Sequence, residues 1–241
     1  MFSRCYGEKM KVLFIKNFET PYTNLPDLIY GKARITHVIY EDGLYRMEGV
    51  YGYSYYELLK PIKVTLLQVK TRVNRKRKWK TWMVDDPLHW YGMKEFSERC
   101  RNGNVLVAGL GLGLIVHHLA KRKDITEIIV VEKNRDVIGL IKPCLSFDKR
   151  IKIIHGNYYK WIEKFAEKRK HFDNIIVDLW VGKGIECQSE YDWARTITEM
   201  LYPYPKTLSL YWGFQKIVDL QRDAQKIFKK HIKILKERGR T

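Results

Sequence analysis

Residues 104–120, NVLVAGLGLGLIVHHLA, set Gly109, Gly111 and Gly113 at alternate positions between an apolar run and a helix-compatible one. Asn104 to Ala108 is short and β-branched, the pattern of a buried strand, and Leu114 to Ala120 resumes as a helix. A strand that ends in a glycine turn and re-enters as a helix makes a pocket floor. With no Cβ in the way, backbone there can come close to a ligand.

From Asn104 onward the pattern alternates. Strands are read at 104–109, 127–132, 151–155, 174–178 and 207–212, with helices near 114–122, 134–142, 158–169 and 189–201. This alternation predicts an α/β, Rossmann-like, doubly wound and mainly parallel sheet in the order 3-2-1-4-5. The chain then enters FQKIVDLQRDAQKIFKKHIKILKERGR. There Phe214, Ile217, Val218, Gln221, Ala224, Phe228, His231, Ile232 and Leu235 share one face of a long amphipathic helix. His231 reads as a packed or rim residue. No final β-hairpin is expected between the last strand and that helix.

Up to residue 84 the pattern is β-like. RITHVIYEDGLYRMEGVY alternates on either side of Asp42-Gly43, the pair suited to a two-residue type I′ hairpin. A second hairpin is expected to join VTLLQVKTRV to KWKTWMV through Asn74 to Arg77, and the two together predict a small antiparallel sheet. DDPLHW is the hinge, because Pro87 disfavours helix before it and opens a helix toward Cys100. The expected domains are thus a small β-rich unit over 1–84 and a Rossmann-like unit over 85–241.

Composition bounds the chemistry. The 241 residues are enough to bury a full core, and 45 Lys plus Arg against 27 Asp plus Glu leave a formal charge of +18. Such a field attracts nucleic acid, nucleotides or acidic headgroups, although a solvated lysine-rich surface has the same composition. Cys5, Cys100, Cys144 and Cys187 are far apart with no C-x-x-C spacing, so neither a zinc site nor a disulfide framework is expected. The start, MFSRCYGEKMKVLF, lacks a secretory h-region, and no apolar stretch is long enough to cross a bilayer. A soluble, cytoplasmic protein with no metal is expected, its oligomeric state open and a homo-oligomer among the options.

The glycine turn lacks a dinucleotide fingerprint, since Leu114 stands where the last glycine of G-x-G-x-x-G would fall. Glu132 closes the second strand about 20 residues beyond the turn, where a carboxylate accepts hydrogen bonds from both hydroxyls of a ribose.

The segments VLVAGLGLG, VVEKN, IHGNYYKW and FDNIIVDLW, in this order, resemble class I S-adenosylmethionine-dependent methyltransferases. They resemble most the spermidine synthase-like branch, and within it methyltransferase-like proteins of bacteria and phages. The resemblance covers about residues 82–180. It implies that Gly109, Gly111 and Gly113, with Leu110, approach the methionine part of the cofactor, while Glu132, with Lys133, holds the ribose. Asn157 stands where the family often has an acid contacting the adenine amino group, and an amide oxygen accepts that bond equally well. Tyr158 would lie against the adenine, unless it is core. Asp178, at the carboxyl end of the fourth strand, is the candidate to orient the nucleophile or take its proton, or to serve the cofactor. Trp180 is a candidate substrate wall, and Asp85, His89, Trp90 and Tyr91 are candidates for the substrate mouth.

Relatives that transfer an aminopropyl group carry a second aspartate just after that strand. Here Asp178 is followed by Leu179, Trp180, Val181 and Gly182, which favours methyl over aminopropyl transfer. Spermidine synthase-like aminopropyl transfer from the decarboxylated cofactor remains the alternative, as does a nucleic-acid-binding protein that keeps the fold without turnover. For nucleic acid the relevant stretch is KTRVNRKRKWKTW. It interleaves Lys70, Arg72, Arg75, Lys76, Arg77, Lys78 and Lys80 with Trp79 and Trp82, and reads either as a phosphate-and-base surface or as a solvated hairpin tip.

Overall fold

The computed structural model describes residues 11–50, 52–73, 76–145, 148–180 and 187–213. The expected terminal helix, Cys5 and Arg75 lie outside them, as does the chain from residue 214, where no β-hairpin was expected.

Seven strands come first: β1 (Val12–Ile15), β2 (Leu28–Tyr30), β3 (Ala33–Tyr40), β4 (Gly43–Val50), β5 (Tyr53–Leu58), β6 (Ile62–Val73) and β7 (Lys76–Val84). The rest alternates as α1 (Pro87–Arg99), β8 (Gly103–Ala108), α2 (Leu114–Ala120), β9 (Ile125–Glu132), α3 (Arg135–Leu145), β10 (Ile151–His155), α4 (Tyr158–Glu167), β11 (Asn174–Val177), α5 (Gln188–Leu201) and β12 (Leu208–Tyr211).

The five later strands form one parallel sheet in the order β10-β9-β8-β11-β12, a doubly wound Rossmann-like α/β fold. Its strands are apolar on both faces because each face is covered. Val105, Val107, Ile128, Val130 and Ile176 point into one core with α1, α2, α3 and the amino-terminal strands. Leu106, Ala108, Ile129, Val131, Ile175 and Val177 point into the other, against α4 and α5. The period-2 alternation along each strand sorts these residues between the two cores.

The amino-terminal part differs from the single antiparallel sheet expected. It forms a three-stranded sheet, β1-β5-β4, in which β1 and β5 run parallel, and a four-stranded antiparallel sheet, β2-β3-β6-β7. No hairpin forms at Asp42-Gly43: β3 pairs with β2 and β6, whereas β4 pairs with β5. A type I′ turn needs positive φ at both central residues, and here only Gly43 has it. Pairing β3 with β6 also sets Ala33 and Ile35 opposite Val69 and Leu67, all four buried. The second hairpin does form, in a tighter loop than expected, with Val73 opposite Lys76 and Arg72 opposite Arg77.

Asp86 caps α1, accepting from the His89 amide at 3.0 Å, with Pro87 in the first turn. Asp85, beside it, is wholly buried. Its carboxylate accepts from the Thr20 hydroxyl and, at 2.5 Å, from the Thr65 amide, so it ties the amino-terminal segment and β6 to the start of α1. Burial pushes the Asp85 carboxyl up, and these hydrogen bonds oppose the shift. Replacing it with alanine strands the Thr65 N–H in the interior. Asp85→Ala is therefore expected to lower stability by about 2–3 kcal/mol in urea denaturation, and Asp85→Asn, which keeps an acceptor, by less.

Candidate functional site

In an open parallel sheet, ligands bind beyond the carboxyl ends of the strands where the strand order reverses, here between β8 and β11. A cavity of about 160 Å³ lies there. Every loop around it contributes: Gly109 and Gly111 after β8, Glu132 and Lys133 after β9, Asn157 to Tyr159 after β10, and Asp178 to Trp180 after β11.

The glycine turn is shaped by close approaches. Gly109, at φ +89°, packs so that a Cβ would meet the backbone carbonyl of Asp178 at 2.1 Å. Gly111, at φ +51°, faces Met83, whose Sδ would be 2.6 Å from an added Cβ and accepts a hydrogen bond from the Leu112 amide at 3.1 Å. Gly113 caps α2 in the left-handed region and faces the core side chain of Leu145 instead of the cavity. Leu110 buries its side chain, and its amide serves the site.

Glu132 is 6% exposed, and both its oxygens are engaged by backbone: Oε2 accepts from the Leu110 amide at 2.8 Å and Oε1 from the Asn134 amide at 2.7 Å. Each oxygen keeps a lone pair for a further donor. Asn157 Oδ1 accepts from the Tyr159 amide at 2.9 Å and so caps α4. Tyr158 is core on most sides, its hydroxyl 2.7 Å from Thr198 Oγ1. Tyr159 also lines the cavity, and its buried hydroxyl oxygen has no hydrogen-bond partner.

Asp178 is the electrostatically unusual group. Burial pushes its carboxyl up to about 7, with His89 opposing the shift and the charge of Glu132 adding to it. His89 Nδ1 is 2.7 Å from Asp86 Oδ1, which fixes the imidazole at the start of α1. His89 is thus close to the site without lining the cavity. Asp85 and Trp90 do not line it either. The former is the interior tie described above, and the latter packs its ring 4.1 Å from that of His118. Tyr91 lies against Phe18, their rings 6.1 Å apart. Trp180 lines the cavity and donates from Nε1 to the Trp212 carbonyl at 3.0 Å.

Trp82, Met83, Val131, Gly156, Tyr159, Leu179 and Glu190 also line the cavity, and sequence reasoning assigned none of them to it. Gly156 follows a strand end and could have been found from that position. Trp82 could not, because it is the extra residue of a β-bulge: Thr81 pairs with Gln68 and Met83 with Leu67. A bulge re-aims a side chain, and no local pattern announces it. Glu190 arrives from the first turn of α5, supplying a second carboxylate that residues 179–182 lack. Among the described residues no group of three or more His, Cys, Asp or Glu could hold a metal ion, and no helix is long and apolar enough to cross a membrane.

No protein-family model matches the chain, and no curated protein does. Solved structures with a similar fold include a SAM-dependent methyltransferase from Agrobacterium tumefaciens, at 17% identity and TM-score 0.43, covering 61% of this chain and 49% of that one. A spermidine synthase from Thermotoga maritima gives 18% identity and TM-score 0.35 over 48% of this chain and 43% of that one. A precorrin 8W decarboxylase from Methanobacterium thermoautotrophicum gives 15% identity and TM-score 0.39 over 51% and 60%. The chain therefore spans less than two thirds of the length of each. The likeness is one of fold, and the functional reading rests on the site's own geometry.

Two outcomes follow from that geometry. Gly109→Ala drives a Cβ into backbone that cannot yield and is expected to cost about 3 kcal/mol or more, whereas Gly111→Ala meets a flexible thioether and costs about 1 kcal/mol for the left-handed backbone. Urea denaturation distinguishes them. For Asp178, a carboxyl raised by folding takes up a proton that the unfolded chain has released. Stability is therefore fully present below about pH 4 and lost as pH rises toward about 7. Asp178→Asn is expected to be more stable than the wild type at pH 8, by roughly 1–3 kcal/mol after solvent screening, and to lose that advantage at pH 4.

Proposed function

We propose that the chain binds S-adenosylmethionine in this crevice and transfers its methyl group to an acceptor held beside Asp178 and Trp180. The observation that carries the reading is Glu132, a buried carboxylate at the end of β9 held by two amides with lone pairs left for a vicinal diol. The lining suits such a group in other respects. Gly109 and Gly111 leave room where a Cβ would stand, Tyr159 offers an unpartnered buried hydroxyl, and Asn157 keeps a lone pair and its amide donors.

When bound, S-adenosylmethionine supplies a methyl group activated on a sulfonium. The chain's task is then to align the acceptor and exclude water. Trp82 and Trp180 give the crevice apolar walls. Asp178, at about 7, is divided between acid and carboxylate at neutral pH, and its carboxylate can accept the acceptor's proton. Met83 closes the glycine side with an adaptable side chain able to yield.

A second reading, aminopropyl transfer from the decarboxylated cofactor, draws support from Glu190. With Asp178 it gives the crevice two carboxylates for a cationic amine.

Calorimetry tests both. S-adenosylmethionine and S-adenosylhomocysteine are expected to bind, and Glu132→Ala to weaken binding by about 10- to 100-fold, the worth of hydrogen bonds to a charged group. Preference for decarboxylated S-adenosylmethionine would select the second reading. Absence of heat with every form would remove both.

A further inference from the structure

Toward the β6–β7 hairpin the four-stranded sheet has one covered face and one open face, whereas further along β6 the open side closes over Val64 and Ile62, both buried. Ala33, Ile35, Leu67 and Val69 are buried on the covered side. Alternate residues therefore point outward: Arg34 from β3, Gln68, Lys70 and Arg72 from β6, and Arg77, Trp79 and Thr81 from β7, with Arg72 opposite Arg77, Lys70 opposite Trp79 and Gln68 opposite Thr81. The row is pre-organised. Arg34 Nε donates to Gln68 Oε1 at 2.8 Å, and Gln68 Nε2 donates to Thr81 Oγ1 at 3.1 Å. The Arg34 guanidinium lies 4.4 Å, and the Lys70 ammonium 5.5 Å, from the centre of the Trp79 ring.

Lys70, Arg72 and Arg77 are exposed, and among the described residues none of the face's cations is paired with a carboxylate. Lys76, Lys78 and Lys80 alternate with these residues on β7, so they point to the other side of the sheet and add only to the general positive field. Unpaired cations around an indole and a guanidinium offer phosphates a counter-charge and bases a plane to stack on. The strand bearing them leads to the crevice: Trp82 and Met83 line it, and Trp79 stands three residues earlier, about 10 Å along a strand.

We propose that this open sheet face binds single-stranded nucleic acid and leads it along β7 to the crevice, so that the methyl acceptor belongs to a nucleic acid. The binding surface stands on its own residues, and the acceptor assignment rests on the transferase reading above.

The test is fluorescence anisotropy of a labelled oligodeoxythymidylate of about 20 nucleotides with the full chain, without cofactor. Binding is expected to weaken about tenfold or more between roughly 50 and 200 mM salt. Arg72→Glu/Arg77→Glu is expected to weaken it about tenfold or more, and Trp79→Ala about five- to tenfold. Because none of these residues lines the crevice, the variants should keep the wild-type circular dichroism and S-adenosylmethionine calorimetry. Lys70→Glu, at an exposed position of the same face, provides a second charge reversal should the first fail to fold. No oligonucleotide binding at low salt, binding indifferent to all these substitutions, or binding of phosphatidylserine vesicles in place of the oligonucleotide would each overturn the proposal. Oligonucleotide binding without S-adenosylmethionine uptake would keep the surface and remove the transferase reading and the acceptor assignment with it.

Discussion

The Glu132 carboxylate is the brace on which the site depends. One oxygen holds the amide of Leu110 in the turn after β8, and the other holds the amide of Asn134 at the start of α3. Two adjacent strand ends are thereby fixed by one side chain, and the glycines between them keep the conformations that expose their backbone. A carboxylate buried without such donors would be driven toward its neutral form. Here the backbone supplies two such donors at the cavity wall.

Much of this was legible because it is local. The alternation of VLVA, EIIVV and NIIV with helical stretches specifies a parallel sheet. A strand followed by Gly109, Gly111 and Gly113 specifies a turn, and Glu132 falls at the end of the next strand. The errors lie where pairing is decided by distant residues. Asp42-Gly43 has a hairpin's chemistry, yet β3 pairs with β6, where Ala33 and Ile35 lie opposite the buried Val69 and Leu67. Asp85 looked like part of a substrate mouth from its place before the helix. Its real environment, Thr20 and Thr65, is brought in from residues far away in the chain. Glu190 and Trp82 reach the cavity through helix packing and a bulge, neither of which has a local signature.

His89 illustrates a role between these cases. It does not line the cavity, yet it opposes the upward shift of Asp178 while its own ring nitrogen is held by Asp86. The α1 cap therefore links helix geometry to proton affinity in the crevice: the Asp86 carboxylate that accepts the His89 amide also holds the imidazole near Asp178. A residue of this kind acts on a cavity carboxyl without lining the cavity, a relation that position in the sequence alone does not show.

The chain's charge is segregated in a way that a total of +18 hides. The crevice is lined by Glu132, Asp178 and Glu190 against Lys133, whereas the open face of the amino-terminal sheet carries cations alone among its charged residues. Inside a partly desolvated crevice, carboxylates favour a ligand that brings positive charge, as a sulfonium does, and disfavour a bare phosphate chain. On the exposed sheet the field acts over about a Debye length, so in the proposed complex it would hold a polyanion at the surface without drawing its phosphates into the cavity. For the proposed nucleic acid, backbone outside and a base inside is the arrangement that both fields would permit together, with Trp82 lining the cavity at the end of the strand that bears the cations.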